Sequence, residues 1–321
     1  MLTAAREIKA NGTVIARTPA LVPSFSSKGF PEVAKIIETL AETITESTLI
    51  SAYDIAREHI TSIPTFPSYF ILDSGGYECS KDMELSDTRM NNLQESPWAI
   101  EELAAVLDAW KAPQPTLAVS FDHPKLRVSI DQQIQRAIEL FAGRPFGRVL
   151  LIKPISTEAE RIDHKAVISA IRELHHFDVI GFTEKDIGFS IFDRMRKIAK
   201  IRRALSEVGL NTPIHIFGSL DPVTTPLYFF AGADIFDGLT WLRYGYSDGQ
   251  AVYGRNLAAL KHGLRTNDKD IDPIIWSENY QAIVDLQIAM KRYLKEGNFS
   301  AFGPRHEPFF EKAVKEMHAD D

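Results

Sequence analysis

The sequence predicts an α/β protein folded as a (β/α)8 TIM barrel, and three observations predict it. Short apolar segments rich in β-branched and aromatic residues alternate with amphipathic stretches along most of the 321 residues. Strands joined by helical crossovers pair in parallel. Three of the apolar segments run into an aspartate, at Asp73, Asp122 and Asp237, and chemistry gathers at the carboxyl ends of parallel barrel strands. No Gly-x-Gly-x-x-Gly pattern follows an early strand, which counts against the main alternative, a doubly wound open sheet.

In chain order, the strand candidates are residues 48–51, 69–72, 116–121, 149–153, 179–182, 214–217 and 234–236. Helical spacing marks 31–45, 97–110, 130–141, 157–175, 192–208 and 224–231 between them. An eighth strand either lies in 239–254, or 234–236 is itself the eighth and an earlier one is hidden. Residues 255–272 are charged, with Asn267-Asp268-Lys269-Asp270 among them, and read as an exposed loop. Ile283, Leu286, Met290, Tyr293 and Leu294 recur at helical spacing, as on a helix that packs against a core. The organisation expected is a catalytic barrel over 1–254, with a charged loop and C-terminal helical extension, 255–321, packed on it.

Composition narrows the function classes. The net charge of −7 offers no general attraction to phosphate, so any nucleic-acid contact must come from a local patch. One cysteine, Cys79, excludes an internal disulfide. There is no N-terminal apolar segment of signal-peptide type and no run of about 18 apolar residues. A soluble cytoplasmic protein is the expectation.

The densest chemistry lies in Ile71-Leu72-Asp73-Ser74-Gly75-Gly76-Tyr77. An apolar run stops at a carboxylate, a hydroxyl, two glycines and a ring. Paired glycines allow a tight turn and close approach of backbone to a ligand. A carboxylate and a ring facing one space suit acid/base work on a flat group. The plain alternative is a strand-to-loop turn.

This motif, Phe121-Asp122 and Phe236-Asp237 with Arg243 six residues on together resemble the tRNA-guanine transglycosylase family (queuine and archaeosine tRNA-ribosyltransferases). Gly12-Thr13-Val14 and Thr18-Pro19-Ala20-Leu21-Val22-Pro23 resemble its opening hairpin, and Gly249-Gln250-Ala251 and residues 276–299 its later segments. The resemblance implies base exchange: guanine in a polynucleotide, tRNA or DNA, replaced by a 7-deazaguanine through a covalent aspartyl-glycosyl intermediate. It implies Asp237 as nucleophile and Asp73 as general acid/base. It places Ser74, Gly75, Gly76, Tyr77, Asp122, Lys153, Gly181 and Glu184 around the base, and Arg243 and Arg255 on the polynucleotide. Lys153 either donates to the base or neutralises an aspartate, and Glu184 either accepts from a substituent or caps a helix. The family's Cys-x-Cys-x-x-Cys zinc ligands are missing, so no structural zinc and no cofactor is expected, and the assembly is left as a homodimer or heteromer. The rivals are a non-catalytic partner subunit and a nucleoside or N-glycoside hydrolase.

Overall fold

The computed structural model describes residues 2–81, 83–87, 95–123 and 125–319. A hairpin of β1 (Glu7–Ala10) and β2 (Thr13–Arg17) opens the chain. The barrel strands follow: β3 (Ala20–Pro23), β4 (Ser47–Ser51), β5 (Tyr69–Asp73), β6 (Thr116–Val119), β7 (Gly147–Ile152), β8 (Val179–Thr183), β9 (Ile214–Phe217) and β10 (Ile235–Gly238). They hydrogen-bond in the order β3-β10-β9-β8-β7-β6-β5-β4, every pairing parallel. The ends of that row meet. Thr48 Oγ1 donates to the Pro23 carbonyl at 2.8 Å, and the Phe25 N–H to that of Leu49 at 3.0 Å. The result is an eight-stranded α/β barrel.

Alternation along the strands sorts the core into two layers. Val22, Ile71, Val119, Val149, Val179 and Ile235 fill the barrel interior, with Ile8 of the hairpin joining them. Leu21, Phe70, Ala118, Leu150, Ile180 and Phe236 face the surrounding helices. Parity also decides where the strand-end side chains go: Asp73 and Asp237 share the inward parity of Ile71 and Ile235.

The structure settles the eighth strand. β3 lies inside the segment expected as part of the opening hairpin, so β10 closes the barrel. Residues 239–254 instead carry a short helix, Thr240–Arg243, and an antiparallel pair, β11 (Gly245–Ser247) and β12 (Gln250–Val252). The loop expected over 255–272 is corrected too. It contains the helix Gly254–His262 and the start of the long helix Asp268–Glu296. Leu257 and Ala258 bury against Ile271 and Ile275, and those four apolar residues outweigh the charges around them. The long helix ends at Gly297, whose φ of 66° is the left-handed stop that glycine adopts without strain. It seals the barrel wall through buried amides: Gln287 accepts from the Leu21 N–H at 2.9 Å, and Asn279 accepts from the Tyr246 N–H at 2.6 Å. Among the described residues no helix is long and apolar enough to cross a membrane.

Candidate active site

The carboxyl ends of the strands surround a funnel that opens to solvent. Asp73, Ser74, Tyr77, Asp122, Lys153, Glu184 and Asp237 all line it. The three strand-end aspartates therefore do converge, from β5, the segment after β6, and β10. Ser24, Glu78 and Glu84 line it as well.

Asp237 is held from two sides. Its Oδ2 accepts from Ser24 Oγ at 2.7 Å and its Oδ1 lies 2.8 Å from His215 Nε2. His215 is fully buried on β9, stacked on Phe217, and its Nδ1 has no partner. A proton on Nδ1 would find no acceptor, so the ring carries it on Nε2 and donates it to Asp237.

Asp73 is held far less firmly: its carboxylate accepts from the Gly75 N–H at 3.1 Å. Burial, then the charge of Glu78, then those of Asp237 and Asp122 push its pKa up to about 8, against the Gly75 bond. Glu78 accepts from Ser26 at 2.6 Å and Ser51 at 2.8 Å, yet burial and Asp54 raise it to about 7. Glu184 accepts from the Tyr228 hydroxyl at 2.8 Å and is also raised by burial to about 7. The funnel thus holds several carboxyl groups that titrate near neutrality, the condition for proton transfer at ordinary pH.

Lys153 neutralises aspartates. It lies 3.3 Å from Asp122 and 2.9 Å from Asp186. Burial opposes its charge, but the two carboxylates outweigh burial and hold its pKa above the ordinary value. The other oxygen of Asp122 takes Arg127 at 2.5 Å, so both of its oxygens have a cationic partner. The Tyr77 hydroxyl donates to Asp87 at 3.1 Å, and Lys28 sits 4.2 Å above its ring; that face is covered.

The glycines serve packing. A Cβ on Gly75, at φ 88°, would stand 2.6 Å from Tyr53 Cβ. One on Gly76 would stand 2.5 Å from the Asp122 carbonyl oxygen, and one on Gly181 would meet the Phe217 ring at 2.4 Å. None of the three is among the residues lining the funnel. Arg243 is not among the residues lining the funnel; it is bonded to Glu84 at 2.7 Å and paired with Asp87. Arg255 is away on the Gly254–His262 helix, paired with Asp268 at 2.5 Å, and the two arginines form no common patch. Among the described residues no group of three or more His, Cys, Asp and Glu side chains could hold a metal ion.

Sequence reasoning missed Ser24, His215, Glu78 and Glu84. His215 did leave a signal, a titratable ring within the apolar run Ile214–Phe217 at the same parity as the inward Phe217. Ser24 followed an unrecognised strand, and Glu84 reaches the site from a loop.

No family model matches the chain. It is similar to a ribulose-phosphate 3-epimerase of Rhodobacter capsulatus, 31% identical over 137 residues, which is 42% of this chain and 56% of that protein. The chain thus spans about half the length of the curated relative it matches. That relative is an epimerase, and the match overturns the resemblance to tRNA-guanine transglycosylases. With it go base exchange, 7-deazaguanine insertion and the polynucleotide substrate; the partner-subunit and hydrolase alternatives find no support either. The motif at 73–77 misled because its glycines answer to Tyr53, Trp98 and Asp122, a packing demand any tight strand end can make. That relative is an enzyme, and an epimerase rather than a glycosyltransferase.

Proposed function

We propose that this protein is an epimerase or isomerase that moves a proton on a carbon beside the carbonyl of a small sugar-like substrate, with Asp73 and Asp237 as the acid/base pair. The observation that carries the reading is the contrast between these two carboxyls in one funnel. They arrive on strands separated in the barrel by β3 and β4. Asp73 keeps its proton up to about pH 8, while Asp237 is oriented by Ser24 and His215. Groups whose surroundings differ in this way divide the roles of acid and base.

In the step proposed, Asp237 takes the proton from carbon. The C–H electron pair forms a carbon–carbon double bond, and the carbonyl electrons move onto oxygen. Ser74 Oγ, buried at the funnel with no partner, is a donor for that oxygen. Asp73 then gives its proton to the other face of the same carbon and the carbonyl re-forms. The net change is inversion at carbon, with one proton gained by Asp237 and one lost by Asp73. The likeness to a ribulose-phosphate 3-epimerase supports this chemistry and suggests a ketose phosphate as substrate.

The test is proton NMR of ribulose phosphate and of unphosphorylated ketoses in D2O with the enzyme. Loss of the signal from the carbon-bound proton beside the carbonyl is expected, and its disappearance in Asp73→Asn and Asp237→Asn. No exchange with any ketose would remove the reading.

A further inference from the structure

The likeness suggests a phosphate on the substrate, yet the funnel is a poor place for one. Asp73, Glu78, Glu84, Asp122, Glu184 and Asp237 line it, against two lysines, Lys153 and Lys185. Lys153 pairs with Asp122 and Asp186. Lys185 is supported by the charge of Asp186, but burial outweighs that support and lowers its pKa. A dianion taken from water needs charge-assisted donors around it, and here it would meet mainly carboxyl groups.

The cations nearby are engaged. Among the described residues, Arg127 pairs with Asp122, Arg243 bonds Glu84, Ser86 and Tyr77, and Lys28 donates to the carbonyls of Tyr77 and Ser80 at 2.7 and 2.8 Å. Backbone donors are engaged too. In barrels of this kind phosphates lie by the loops after the last two strands. In this chain the Ser219 N–H donates to the Asp237 carbonyl at 2.6 Å, the Gly238 N–H to Ser24 Oγ at 3.1 Å and the Leu239 N–H to Glu84 at 3.4 Å.

What the funnel does offer matches a sugar without charge. Ser74 Oγ is buried, belongs to the lining and has no partner. Asp73, Glu78 and Glu184 titrate near neutrality. A carboxyl group donates when protonated and accepts when ionised, and a sugar hydroxyl does both. Phe25, Leu49, Leu151 and Phe217 also line the funnel and supply apolar surface for the C–H faces of a sugar.

We propose that the site takes an uncharged polyhydroxy ketone and turns its phosphate ester away. This rests on the proton-transfer reading and narrows its substrate class. The discrimination is electrostatic. A phosphate adds negative charge beside carboxyl groups whose charges already oppose one another, whereas hydroxyls exchange water for carboxyl partners.

The test is calorimetric titration with ribitol and ribitol phosphate, reduced analogues that lack the carbonyl and cannot turn over. At about pH 7 ribitol should bind the wild type at least about tenfold more tightly, a modest share of what like charges placed together cost. At about pH 5 the gap should narrow, because the carboxyl groups take up protons and the phosphate falls towards a single charge. Glu184→Gln, uncharged throughout, should narrow it at neutral pH as well; its melting temperature confirms that the variant is folded. Equal or tighter binding of ribitol phosphate, no binding of ribitol, or a gap unchanged by pH or by Glu184→Gln would overturn the substrate class. A preference for ribitol without ketose exchange in D2O supports the substrate class and removes the proton-transfer reading. Exchange of ribulose phosphate alone keeps that reading and overturns the uncharged substrate.

Discussion

Asp234 and Asp237 lie three residues apart, at opposite ends of the same strand, and are treated in opposite ways. At the bottom of the barrel Asp234 takes Arg6 at 2.6 Å, Arg202 at 2.5 Å and the Ile214 N–H at 2.8 Å. At the top Asp237 takes a hydroxyl and an imidazole. The bottom carboxylate is neutralised by two buried cations. The top one faces a funnel crowded with other acids, and its neighbour Asp73 has its pKa pushed up by them. Placed in a closed cation pair the residue secures the fold, whereas in an open acid cluster it is left for chemistry.

The sharpest way to break that contrast is to remove each charge in turn. Asp237→Asn and Asp73→Asn should lower turnover by roughly 10²–10⁴-fold, the usual worth of a general acid or base, with folding intact. Asp234→Asn should do the reverse. It leaves buried Arg202 without its anion, which costs about 3–5 kcal/mol and shows as a melting temperature lower by roughly 6–10 °C, while the turnover of the folded fraction changes little. Equal effects at both ends would dissolve the distinction.

A finer test uses pH. The folded pKa of Asp73, about 8, lies above its unfolded value of about 3.9. Its contribution to stability is therefore fully present below the unfolded value and is lost as pH rises towards 8. Asp73→Asn does not titrate, so it should melt higher than the wild type by a margin that grows between pH 5 and 8. Catalysis should hold over that range and fall as pH passes through about 8, because an acid that has lost its proton cannot deliver it. A wild-type rate that keeps rising through pH 9 would take Asp73 out of the acid's role.

The smallest effect is expected furthest from the funnel. Arg255→Ala breaks only an exposed pair with Asp268, and such pairs are worth about 0–1 kcal/mol. Melting temperature and turnover should both stay within error, and a clear loss of either would show that the C-terminal helices couple to the site.

Local pattern made seven of the barrel strands legible, because each is a compact apolar run bounded by polar or turn residues. β3 was not, because Ala20–Pro23 is four residues long and follows directly on a hairpin that shares its character. The helix Gly254–His262 was obscured because its surface is charged and its few buried residues, Leu257 and Ala258, find partners only on the next helix. The site divided in the same manner. Aspartates at strand ends are visible as sequence, but Glu84 lies in a loop that carries no period and reaches the rim through contacts with residues more than 150 positions later.

The sequence by itself determined the α/β alternation, and with it the convergence of Asp73, Asp122 and Asp237, since side-chain parity on parallel strands leaves little choice of direction. Only the tertiary structure decided what each of those carboxyls became. A carboxylate's chemistry depends on its water, its donors and the charges within a few ångströms, and these arrive from distant segments: His215 and Ser24 at Asp237, Lys153 and Arg127 at Asp122, Glu78 and the other acids at Asp73. A motif of five residues carries none of that information, which is why Asp-Ser-Gly-Gly-Tyr marked the place of the site and misstated its reaction.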